Sequence, residues 1–131
     1  MTKKELVTQS LLPYLKGEKP FGFDGENCVY YDPPTKACCA IGQWLKTPEE
    51  FVEAKIGIIG ADDLFGQFGQ ECLQDEVQDI LSTREWSKVQ SIHDVAACND
   101  NFSYTLNELE MLIDSPLPEI RAFLPKPTEY A

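Results

Sequence analysis

An α+β fold in which helices dominate, a single acidic globular domain with one small β-hairpin leaning on the helices, is predicted by three features of the 131-residue sequence. First, a Ser or Thr followed three residues later by Glu recurs at Thr2/Glu5, Thr47/Glu50, Ser82/Glu85 and Thr105/Glu108. In that pattern a hydroxyl and a carboxylate reciprocally satisfy the free amides at a helix entrance. Second, between Gly17 and Cys39 the helical period gives way to two short β-compatible runs, Asn27 to Tyr31 and Ala37 to Ile41, on either side of Asp32-Pro33-Pro34-Thr35. Third, a composition that is 43% hydrophobic and 11% aromatic can build one core at this length, whereas two separate domains would each be too small to bury enough surface.

Taken in order, helices are expected near 3–16, 40–46, 48–54, 71–81, 83–97, 106–114 and 116–124. Pro48 and Pro116 sit where a first-turn proline costs no hydrogen bond and its fixed φ suits the helix. The hairpin spans about 27–41, and two strands alone are marginal in water, so it must draw its stability from the helices. From 54 to 70 the glycines Gly57, Gly60, Gly66 and Gly69 punctuate Ile56, Ile58, Ile59, Leu64, Phe65 and Phe68, a pattern that fits a third strand followed by a loop or short helix. The tail 125–131 is expected to fray or drape on the surface.

The formal charge of -11 is unevenly placed. Residues 1–60 hold 7 Lys/Arg against 8 Asp/Glu, and residues 61–131 hold 4 against 14. A surface of that sign repels the phosphates of nucleic acid and membrane and steers basic proteins toward it; simple solubility is the alternative use. No apolar run approaches the roughly 20 residues needed to span a bilayer, and residues 1–12 lack the apolar core of a signal peptide. The five cysteines, Cys28, Cys38, Cys39, Cys72 and Cys98, are odd in number and irregular in spacing, which favours free thiols in a reducing cytoplasm over a disulfide framework.

Over 71–81 a helix would put Leu73, Val77, Ile80 and Leu81 on one face and Glu71, Asp75 and Asp79 on the opposite one. With Asp62, Asp63 and Glu76 nearby, that acidic ridge is the expected partner-binding surface, able to imitate a row of phosphates; a merely solvated face is the alternative. A second reading places chemistry at Cys39, expected at a helix entrance where amides and the helix dipole would lower its pKa, with His93 as base and Asp94 as orienter of a thiol-dependent hydrolase or transferase. Neighbouring helix residues point about 100° apart, so Asp94 is expected to be poorly placed for that role. A third reading is a structural zinc site built from Cys28, Cys39 and His93 with Cys38, Cys98 or Asp94 as fourth ligand, although the gap between Cys28 and Cys39 is wider than usual for paired zinc ligands. Buried thiols and a satisfied histidine would account for the same residues. No nucleotide, calcium or metalloprotease motif is present and no cofactor is expected. Trp44, Trp86, Phe21, Phe23, Tyr30 and Tyr31 are expected to be mostly core.

Three stretches, Cys28-Val29-Tyr30-Tyr31, Cys39-Ala40-Ile41-Gly42 and Val89-Gln90-Ser91-Ile92-His93-Asp94, together resemble a family of small phage and prophage proteins. Its members carry an N-terminal helix, a Cys-x-Tyr strand, a Cys-Ala-x-Gly helix start and a later Leu-Gln-x-x-His-Asp helix. The likeness covers about residues 3–98. Val89 replaces the usual leucine, and Tyr31 stands where a basic residue is common, which weakens any anion site there. The resemblance implies a phage setting inside a host cell, a shared fold, and one spatial cluster of the motif residues, but no particular activity. Small size, the absence of cofactor motifs and the lopsided charge make the expected function an interaction factor that inhibits or modulates a basic host or defence protein, with anti-CRISPR or anti-restriction action as a guess from class alone.

Overall fold

The computed structural model describes residues 1–22, 29–53 and 60–125. Within them the chain forms α1 (Lys3–Leu15), a hairpin of β1 (Tyr31–Asp32) and β2 (Ala37–Cys38), then α2 (Pro48–Glu53), α3 (Ala61–Phe68), α4 (Thr83–Ala97), α5 (Ser103–Ile113) and α6 (Pro118–Arg121). Single 3-10 turns cover Gly42–Trp44, Gln70–Cys72 and Asp75–Val77. The fold is α+β, helix-dominated, with a two-stranded antiparallel sheet.

Two of the anticipated capping boxes open the two longest helices. At α1, Thr2 Oγ1 accepts the Glu5 amide at 3.1 Å while Glu5 Oε1 accepts the Thr2 amide at 3.3 Å. At α4, Ser82 and Glu85 exchange the same pair of bonds at 3.1 and 2.8 Å. Lys3 Nζ then reaches the buried Glu85 carboxylate at 2.9 Å and ties the two helix entrances together. Burial pushes the Glu85 carboxyl up, but the bonds from Ser82 and the Lys3 ammonium outweigh it and hold the group below the ordinary carboxylate value. At Thr47 the hydroxyl donates to Glu50 Oε2 at 3.1 Å and the Glu50 amide donates to the Thr47 carbonyl at 3.1 Å, in place of the reciprocal side-chain-to-amide pair. Thr105 lies inside α5, which opens earlier, where Asn101 Oδ1 accepts the Ser103 amide at 2.8 Å. The last helix starts at Pro118 rather than Pro116.

α4 lies at the centre, with α1, α3 and α5 packed around it. Its Trp86, Val89 and Ile92 are fully buried among Leu6, Val7 and Leu11 of α1, Leu64 and Phe65 of α3, and Leu106 and Leu109 of α5. The hairpin pairs Tyr31 with Cys38 and Asp32 with Ala37. Its turn is held by the Thr35 hydroxyl donating to Asp32 Oδ2 at 2.6 Å and by Lys36 in the left-handed region at φ 62. Among the aromatics, Tyr30 and Trp86 are buried, and Phe21, Tyr31 and Trp44 are half-buried. Phe23 lies outside the described residues.

Two predicted helices do not form. Over 40–46 the chain makes only one 3-10 turn, because Leu45 extends to pair with Leu73: the Lys46 amide donates to Cys72 O at 3.0 Å and the Gln74 amide to Trp44 O at 2.7 Å. Over 71–81 there are two 3-10 turns joined by extended residues. Side chains replace the helical bonds there. Gln70 accepts the Asp79 amide and donates to Leu81 O, both at 2.6 Å, and Gln78 donates to Leu73 O at 2.8 Å. Asp79 has φ 60, which ends any helix. Leu73, Val77 and Leu81 are nevertheless all buried, so the segment satisfies its apolar spacing without the helix. Between 54 and 70, the short helix of the anticipated pair forms as α3, bracketed by Gly60 and by Gly69 at φ 66. The possible strand falls on residues 54–59, outside the described residues. Among the described residues, no helix is long and apolar enough to cross a membrane.

Candidate functional site

His93, on α4, is 1% exposed and lies against Tyr14 of α1 and the Phe21-Gly22 segment. Its Nε2 accepts the Gly22 amide at 3.1 Å, so the ring proton resides on Nδ1, which donates to Asp94 Oδ1 at 2.9 Å. The same carboxylate oxygen accepts from Gln90 Nε2 at 2.8 Å, and Gln90 Oε1 accepts the Ile41 amide at 3.2 Å. One turn of α4 thereby holds two backbone amides of the N-terminal half. The imidazole is walled by Tyr14 and Phe21, both edge-on, with ring centres 4.9 and 5.2 Å away. The Tyr14 hydroxyl is directed at the carbonyls of Cys38 and Cys39, with the latter at 3.0 Å.

Two glycines make this closeness possible. A Cβ on Gly22 would stand 2.3 Å from the Cys39 nitrogen and 2.6 Å from Val29 O, and one on Gly42 would stand 1.9 Å from Tyr30 O. In both cases the obstacle is backbone, which cannot step aside as a side chain can. Gly42 lies in the quoted motif, whereas Tyr14 and Gly22 were not anticipated. The Phe21-Gly22-Phe23 run was the available signal for a close backbone approach flanked by rings.

The thiol expectations are corrected by this geometry. Cys39 is 1% exposed and precedes a single 3-10 turn instead of a helix. Burial pushes its thiol far above the ordinary value, and the Gly42 amide on Sγ at 3.3 Å only partly opposes that. It is a neutral, enclosed thiol. Asp94 does orient His93, contrary to the angular expectation, since its short side chain folds back to Nδ1. With Nε2 holding Gly22, however, the histidine has no free lone pair with which to act as base.

For zinc, Cys28 lies outside the described residues. Among the described residues no three His, Cys, Asp or Glu side chains are gathered to hold a metal ion. Cys38, Cys39, Cys72 and Cys98 are free thiols, Cys98 exposed.

The acidic residues are exposed at every anticipated position: Asp62, Asp63, Glu71, Asp75, Glu76 and Asp79. They do not form the straight helical ridge expected. Asp62 and Asp63 occupy the first turn of α3, where the helix dipole favours them, and the other four are spread over the turns of 70–79. Asp75 pairs with Lys46 at 3.0 Å, both well exposed; the remaining five have no ion pair among the described residues. Gln90, His93 and Asp94 of the motif residues are thus engaged within the chain, while the carboxylates of 62–79 are exposed. No family model matches the chain, and no curated protein and no solved structure matches it.

Proposed function

We propose that the chain is a protein-interaction factor that binds a basic protein through the exposed acidic segment 62–79 and, in the phage setting its motifs suggest, inhibits or modulates a host or defence protein. The observation that carries this reading is that six carboxylates in that segment are exposed and only one is paired among the described residues. Unpaired surface carboxylates add little to stability, and their summed field raises the encounter rate with a cationic partner and repels nucleic acid. The irregular path of 70–81 favours a matched protein surface over imitation of evenly spaced phosphates.

Capture from host lysate at two salt concentrations tests the proposal. A stoichiometric basic protein should be retained at low salt and released at high salt, because attraction between exposed charges is screened beyond about 8 Å at physiological ionic strength. Reversing Glu71, Asp75 and Asp79 to Lys should abolish capture. Retention by that variant at unchanged strength would refute the acidic-surface reading.

A further inference from the structure

The most exposed large apolar side chains among the described residues share one face of α5. Tyr104 is 75% exposed and Met111 82%. With Asn107 between them they form an i, i+3, i+7 stripe, while Leu106, Leu109 and Ile113 on the other side of the helix are buried in the core. Folding therefore leaves the stripe uncovered. Beside Met111 lies a shallow cavity of about 450 Å³ lined by Asn107, Glu110, Asp114, Ser115 and Pro116. The face already receives a cation from within the chain: the Arg121 guanidinium donates to Asn107 Oδ1 at 2.7 Å and to Glu110 Oε1. On its flank Lys88 pairs with Glu108 at 3.1 Å. Asp114 is exposed and has no ion pair among the described residues.

We propose that this face is an anchor site for a basic amphipathic helix of the partner protein. Two apolar side chains of that helix would cover Tyr104 and Met111, which seven residues separate by roughly 10 Å along the axis, and a Lys or Arg would meet Asp114 beside the seated Arg121. Charge selects this occupant. A second copy of a chain with net charge -11, or an anionic membrane, would bring like charge to the chain as a whole and to Asp114, unpaired among the described residues. An exposed aromatic and a methionine ringed by polar groups are the residue types that act as anchors at interfaces. The inference rests on the reading of a basic protein partner and adds to the acidic segment 62–79 an apolar anchor on α5.

The test is a titration of the isotope-labelled full chain, followed by NMR, with a synthetic 18-residue peptide carrying leucines on one helical face and Lys/Arg on the other. A peptide of the same composition, scrambled so that no apolar face forms, is the control. Shifts at Tyr104, Asn107, Met111 and Asp114 are expected, with at least tenfold weaker binding of the scrambled peptide. The double variant Tyr104→Ser, Met111→Ser should bind at least tenfold more weakly at an unchanged melting temperature. Shifts confined to 62–79 would overturn the α5 site while leaving the acidic-surface reading standing. Equal affinity for both peptides would overturn the site by reducing it to bare charge attraction, as would concentration-dependent shifts at these residues without peptide, which would make the face a self-association surface. No shift anywhere would overturn the α5 site, and the acidic-surface reading would then stand or fall on the capture from host lysate.

Discussion

Residues 70–81 and 83–97 both bury apolar side chains at nearly helical spacing, Leu73, Val77 and Leu81 in one, Trp86, Val89 and Ile92 in the other, yet only the second is a helix. The difference lies in what satisfies the backbone. α4 begins at a reciprocal cap in which Ser82 and Glu85 serve each other's amides. In 70–81 the side chains of Gln70 and Gln78 take backbone groups that a helix would have paired, and Leu73 pairs with Leu45. Apolar spacing decides which residues are buried, and the fate of the amides decides the conformation. The same contrast divides their polar side chains: Gln90, His93 and Asp94 of α4 hold the N-terminal half in place, while the acids of 70–79 face outward.

The largest effect that would break this comparison is at the junction. Gly42→Ala forces a Cβ onto Tyr30 O and should cost about 3 kcal/mol or more in chemical denaturation; a loss under 1 kcal/mol would mean the hairpin does not press on the turn as described. Next, His93→Leu strands the Gly22 amide and one bond of Asp94 and should cost about 2 kcal/mol, whereas Glu76→Lys at the exposed segment should stay within about 0.5 kcal/mol.

Glu85 should shape the acid limb of stability. Its folded pKa lies below the ordinary value, so its contribution is complete above the unfolded value of about 4.3 and is lost as pH falls through the lower folded value. Glu85→Gln should cost about 1.5 kcal/mol at neutral pH and flatten that limb; an unchanged pH profile would show that the Ser82 bonds and Lys3 together do not hold the carboxylate in its charged form. The smallest effect is the sharpest contrast: Asp79→Gly at φ 60 should cost nothing, since glycine accepts that conformation freely, while Ser87→Gly inside α4 should cost about 0.5 kcal/mol. A loss at both positions would make 70–81 helical after all.

Much of the fold was legible where local chemistry and packing agreed. The Thr2/Glu5 and Ser82/Glu85 boxes marked α1 and α4, and Asp32-Pro33-Pro34-Thr35 marked the hairpin turn. What was not legible depended on distant partners. Nothing near Leu45 or Leu73 announces their pairing, and Gln70 reaches nine and eleven residues along the chain. At the site, the clustering of Gln90, His93 and Asp94 with the hairpin connection was readable from motif order. The burial of Cys39 and of a satisfied His93 was among the readings the residue types allowed. The use of Nε2 by Gly22 was not legible, because it depends on how the Phe21-Gly22 segment closes over the imidazole.

The contrast between a structural junction and a working acidic surface is tested most directly by comparing two variants in one binding measurement against the basic protein captured from host lysate. Cys39→Ala should bind within about threefold of the parent chain, while Glu71→Lys, Asp75→Lys, Asp79→Lys should lose at least tenfold. Loss of binding by Cys39→Ala at an unchanged melting temperature, with the charge-reversed variant unaffected, would contradict that division.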